Sequence, residues 1–151
     1  MKELLLKQTY DAFAGSEEMS LLCSLKDLTQ PEAEWRLNST TWTIEEILYH
    51  VASCKLEYCK QAFGKWTKEI PTSFGDIQKM LDLTRQAHEH VAKCLGECSE
   101  SDLLRPVPTA FHGESAANVF WVLIMHDICH GAQIRTIRRA LGTRTDYYPI
   151  R

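Results

Sequence analysis

The sequence predicts an all-α fold, a four-helix bundle, on three observations. No stretch alternates apolar and polar residues as a half-buried strand does, apolar residues recur at helical spacing in four long segments, and the 5 prolines and 7 glycines fall mostly between those segments. The first segment runs from about Lys2 to Phe13, breaks at Gly15-Ser16 and resumes through Met19, Leu22 and Leu25, with a loop or short helical turn after Gln30-Pro31. The second opens on Thr43 as N-cap with Glu46 at N3, a capping box, and Trp42 at N′ stands where it can pack on Ile47 at N4. It extends to about Gly64, with Ile47, His50/Val51, Cys54, Tyr58 and Ala62 inward. Ser73, with Asp76 three residues on, begins the third, whose inner stripe is Ile77, Met80/Leu81, Thr84, His88, Val91 and Leu95 and which ends near Gly96. A connection carrying Pro106, Pro108 and Gly113 leads to Ser115, the N-cap of the fourth helix, which Gly142 stops after about Leu141.

A chain of 151 residues fits one domain, 1–151, with a core large enough to fold without metal or disulfides. The net charge of −3 argues against a nucleic-acid surface. The one basic cluster, Arg135, Arg138 and Arg139, sits late in the last helix, where cations complement the helix dipole and reach solvent. Neither an export signal nor an apolar run of the ~18 residues needed to span a membrane is present, so a cytoplasmic protein is expected. The six cysteines are then reduced and mostly buried thiols.

The chemistry concentrates in histidines that stand where the helical period asks for apolar residues. On the fourth helix the inward positions are Val119, Leu123, His126, His130, Ile134, Ile137 and Leu141, which puts His126 and His130 one turn, ~6 Å, apart on the core face. His50 occupies an equivalent position on the second helix. A lone inward histidine is ordinarily a hydrogen-bonded core ring. Three side by side are costly to desolvate unless something pairs with them all, and a metal ion does. Helices in a bundle lie ~8–10 Å apart, so His50 can meet the pair and form a three-imidazole site with an open coordination position.

The chain resembles the DinB/YfiT-like superfamily of four-helix metal-binding proteins. The residues that carry the resemblance are Trp42-Thr-Ile-Glu-Glu-Ile-Leu-Tyr-His50 and His126-Asp-Ile-Cys-His130-Gly-Ala-Gln133-Ile-Arg, in matching order and spacing over nearly the full length. The resemblance implies an up-down-down-up bundle, His50, His126 and His130 as ligands to a divalent metal, zinc or nickel, and a homodimer. It also implies a small-molecule substrate and metal-assisted chemistry: S-transfer from a low-molecular-weight thiol, an activity of relatives that use bacillithiol or mycothiol, or hydrolysis. A non-catalytic, stress-associated metal- or ligand-binding bundle is the alternative.

Other residues are secondary candidates. Asp127 could orient the His130 ring or be an exposed helix carboxylate, Gln133 resembles a recurrent family glutamine or is a polar edge residue, and Glu57 could accept a proton or be a solvated flank. His88 reads as a buried, hydrogen-bonded ring, with a fourth-ligand or substrate role open. His90 should face away from it toward solvent, and His112, in the long loop, could cover the site mouth. Cys54 and Cys129 project near His50 and His126 as a competing soft-ligand set, though small buried hydrophobes are the commoner role. Cys94 and Cys98 share a helix face but lack a partner pair, which argues against a zinc knot.

Overall fold

The computed structural model describes residues 1–15, 19–65, 74–107 and 115–143. All regular structure among them is helical: α1 (Lys2–Tyr10), α2 (Leu21–Ser24), α3 (Gln30–Glu34), α4 (Ile44–Phe63), α5 (Ile77–Glu97), α6 (Glu100–Leu104) and α7 (Ala116–Leu141). None of the described helices is long and apolar enough to cross a membrane.

The helix limits follow local chemistry. Thr43 and Glu46 close the capping box on α4, Glu46 N donating to Thr43 Oγ1 at 3.1 Å and Thr43 N to Glu46 Oε2 at 2.7 Å. Gly64 ends the helix in the left-handed region at φ 65°. Ser115 and Gly142 likewise bound α7. The start of α5 differs from the sequence expectation. Asp76 is the cap, accepting from Lys79 N at 3.1 Å, while Ser73 lies outside the described residues. A carboxylate there also faces the positive end of the helix dipole, which a hydroxyl does not exploit.

The first segment departs further. After Tyr10 the chain widens into a π-helical turn, Asp11–Gly15, instead of holding α geometry to Phe13. A Cβ at Gly15 would stand 2.7 Å from Asp11 Oδ1 and 2.8 Å from the Tyr10 ring, so a larger residue would displace those side chains. Short α2 and α3 fall where the sequence pattern resumes through Leu22 and where it allows a helical turn after Gln30-Pro31, while α6 lies in a connection that it leaves open.

The closest packing is α4 on α5, with α7 against α4 and α2, and α1 against α5 and α7. Two apolar clusters result. One joins α1 to the C-terminal halves of α4 and α5 and the start of α7, around Leu5, Ala62, Val91, Leu95, Val119 and Phe120. The other joins the π-turn and α2 to the N-terminal halves of α4 and α5 and the end of α7, around Phe13, Leu21, Ile44, Leu48, Val51 and Ile134.

Polar side chains occupy the junction of these clusters. Lys55, 1 % exposed, pairs through Nζ with Asp127 Oδ2 at 2.7 Å and sits 4.4 Å over the Phe13 ring. His88 stacks on the other partner of that ring contact, its centroid 3.8 Å from that of Phe13 and its plane tilted by 7°. Burial pushes the Lys55 ammonium down and the Asp127 carboxyl up, each opposed by the other's charge. At the far end of α7 Arg138 is also buried. It bonds to Glu32 Oε1 at 3.1 Å and to the carbonyls of Ser24 and Lys26 at 3.0 and 2.8 Å. It therefore ties α2 and α3 to α7, where the sequence pattern read a solvated dipole partner.

Removing one half of the central pair strands a charge, whereas removing both strands none. Lys55→Met is expected to cost about 3–5 kcal/mol, and Lys55→Met with Asp127→Leu to recover most of it. Urea unfolding of the three proteins checks this; a double variant no better than the single would show that the pair's hydrogen bonds, not its charge balance, hold the junction.

Candidate metal centre

The junction also positions the histidines. His50 stands five residues before Lys55 on α4, and His126 and His130 flank Asp127 on α7, so the ion pair fixes both helices where the rings meet. His126 Nε2 lies 3.0 Å from His50 Nε2 and 3.1 Å from His130 Nε2. Ring centroids are 4.9 Å apart for His50 and His126, 5.1 Å for His50 and His130, and 4.3 Å for His126 and His130. His126 Nε2 thus stands within hydrogen-bonding distance of both other rings.

Protonation sharpens the picture. Gln133 Oε1 accepts from His130 Nδ1–H at 2.7 Å, which fixes the neutral tautomer with a lone pair on Nε2. The Nε2 of His126 therefore faces a lone pair on one side and His50 Nε2 on the other, and it has one proton at most to offer both. Its Nδ1 is buried without a partner. A cation accepts all three lone pairs at once. Metal–nitrogen bonds of about 2.0–2.1 Å at tetrahedral angles put nitrogens about 3.3 Å apart, close to the 3.0 and 3.1 Å from His126 Nε2 to its two neighbours. The residues present fit a divalent ion.

Electrostatics keep these rings neutral, as ligands must be. Burial, with the charge His130 would carry, holds His50 below the usual imidazole value. Burial and the two neighbouring histidines bring His126 to about 3. Burial also lowers His130, against the hydrogen bond it donates to Gln133.

The remaining sequence candidates fall into place individually. Gln133 touches the His130 ring, as described. Asp127 does not orient His130; it is turned to Lys55, because a buried ammonium competes for the carboxylate more strongly than a neutral N–H. Glu57 accepts from Gln61 Nε2 at 2.8 Å and stands 3.9 Å from Lys60 Nζ on a half-exposed flank, away from the rings. Trp42, 48 % exposed, turns its ring edge to His50 at 5.0 Å while Ile47 buries.

Cys54 comes within ligand range, since His50, Cys54 and His126 can each bring a donor atom within 4.8 Å of the others. Its Sγ is 3.7 Å from both nitrogens of His50, a position on neither lone-pair axis, and it hydrogen-bonds to Tyr58 while burial raises its pKa. Cys129 is exposed. His88 is buried as expected but is held by stacking, its Nδ1 lacking a hydrogen-bond partner. His90 is half-buried, with Nε2 3.5 Å from Cys94 Sγ one turn along the same helix. His112 lies outside the described residues.

Two features escaped the sequence reading. Lys55 breaks the apolar stripe Val51, Ala52, Leu56, Cys59, and that interruption opposite Asp127 was the available signal. A cleft of ≈ 670 Å³ opens onto His50 and His130, lined by Leu37, Trp42, Ile47, Ala132, Ile137, Thr40, Thr41, Thr136 and Gln133. No charged side chain lines it among the described residues. Lining from a loop and two helices far apart in the chain cannot be read off a linear pattern.

A model of the DinB superfamily matches residues 16–134. No curated protein and no solved structure matches the chain.

The neutral rings make stability depend on pH with a defined sign. Burial, then the Lys55 charge, depresses His88 from the ordinary 6.5 to about 3. Its contribution is complete above the unfolded value of 6.5 and is lost as pH falls toward 3, at up to about 1.4 kcal/mol per pH unit. Metal-free protein should lose urea stability through that window. His88→Phe keeps the stack on Phe13 and should flatten the decline; an unchanged slope would assign it to other groups.

Proposed function

The chain belongs to the DinB superfamily, and from that premise we propose that His50, His126 and His130 hold a divalent metal, zinc or nickel, for a reaction on a small molecule bound in the adjoining cleft. The observation that carries this reading is the approach of His126 Nε2 to His50 Nε2 on the other helix and to His130 Nε2 on its own, at 3.0 and 3.1 Å. The bound ion would supply Lewis acidity, enough to make a nucleophile of a thiol or a water near neutral pH.

The protein's own groups divide the remaining work. Gln133 fixes the His130 tautomer and ring plane. Lys55 and Asp127 hold the helices in register from within the core and leave the rings neutral. The cleft wall, apolar with threonine hydroxyls and one amide, suits a small, uncharged and largely apolar substrate. Such a substrate is the electrophile of a thiol transfer, with a low-molecular-weight thiol as the second reactant. Water in place of the thiol gives hydrolysis, the second outcome a screen would report.

The test begins with untagged protein. Elemental analysis should find metal in the wild type and little in His50→Ala, His126→Ala or His130→Ala, with helical circular dichroism kept because the apolar core does not need the ion. Gln133→Leu should weaken metal affinity by about 10–100-fold. Metal-loaded wild type should then join a small thiol to an apolar electrophile, or hydrolyse an apolar ester, and the ligand variants should do neither. Metal retained in all three variants would refute the site. Metal bound without turnover of either kind would leave a binding protein in place of an enzyme.

A further inference from the structure

A second donor set stands apart from the histidine cluster. Cys59 on α4 is nine residues beyond His50, roughly 13 Å along the helix axis. Its thiol faces that of Cys94 on α5 across the helix interface. His90, one turn before Cys94, presents Nε2 to Cys94 Sγ at 3.5 Å. Donor atoms from Cys59, His90 and Cys94 all lie within 4.8 Å of one another. The sequence pattern argued against a zinc knot because Cys94 and Cys98 lacked a partner pair. The fold supplies partners from elsewhere: Cys59 across the helix interface and His90 along α5.

We propose that Cys59, Cys94 and His90 form a second metal site, specific for a soft divalent ion of the zinc class. Metal–sulfur bonds of about 2.3 Å and metal–nitrogen bonds of about 2.0–2.1 Å at tetrahedral angles separate S and N by about 3.6 Å, against the 3.5 Å between Cys94 and His90. Charge also balances. The two thiols lose their protons to solvent on binding, and two thiolates with a neutral imidazole around a dication leave no net charge to bury. This matters because Cys59 and Cys94 are 0 % and 1 % exposed. His90 is half-buried and gives the site its opening to solvent. Cys98, whose thiol donates to the Cys94 carbonyl at 3.2 Å, stays outside the set. Binding would staple α4 to α5, the most closely packed helix pair.

The sulfur donors give this site a signature that the three-imidazole site lacks. Full-length protein kept under a non-thiol reductant is titrated with cobalt(II), and thiolate-to-cobalt charge-transfer absorption is followed in the near ultraviolet. The band should appear in the wild type and persist in His126→Ala and in Cys54→Ser, which separates it from the first centre. It should vanish in Cys59→Ser and in Cys94→Ser, with a loss of one bound metal per chain. His90→Ala alters a half-buried residue and should fold even if the buried serines do not; there the affinity should fall by more than about tenfold. No thiolate band in the wild type, or a band indifferent to both Cys94→Ser and His90→Ala, would overturn the assignment.

Discussion

The Lys55–Asp127 ion pair is the constraint on which the arrangement of α4 and α7 rests. Helices packed through apolar side chains can slide by fractions of a turn at modest cost, because Leu against Ile is little worse than Leu against Val. A buried ammonium and carboxylate 2.7 Å apart permit no such slide. Displacement by one turn would leave each charge among apolar neighbours, at a cost of several kcal/mol per ion. His50 precedes the lysine by five residues and His126 adjoins the aspartate, so the register that satisfies the charges also brings the imidazoles together. Three neutral rings could not impose that register on the helices by themselves.

The same junction shows how far sequence reasoning reaches. The limits of α4 and α7 were legible because capping is local chemistry: Thr43 with Glu46, and glycines 64 and 142, act on backbone groups within one turn. The histidine positions were legible because a polar ring on an apolar period is a visible conflict. Lys55 and Arg138 present the same conflict but were not read as core, since a cation at the edge of a stripe is ordinarily assigned to solvent. What makes them internal are partners far along the chain, Asp127 at 72 residues and Glu32 at 106. The apolar period marks which face is inside, not which charges meet there.

Membership in the DinB superfamily and the ring geometry support each other without being the same observation. The family match covers residues 16–134 and so includes all three histidines. It does not specify how their protons are arranged. Gln133 decides that by holding Nδ1–H of His130, and the hydrogen bond is local to α7, three residues along. A helix that carries both an imidazole and the group that orients it needs no other element to set that ring's tautomer. Only His50 must be delivered from outside, which returns the burden to the α4–α7 register.

Two donor sets on one helix have consequences for which ion goes where. The set built on His50 is all nitrogen and open to a cleft; the set built on Cys59 is mainly sulfur and closed except at His90. Nickel and zinc both accept imidazole, but thiolate strongly favours zinc-class or cuprous ions. The difference in donors would therefore sort ions between two places in the same molecule. A nitrogen site that keeps an open position suits turnover, because its ligands exchange with substrate. A sulfur site buried between α4 and α5 suits permanence, and its occupancy would stiffen the helix that carries His50 without taking part in the chemistry at the other end.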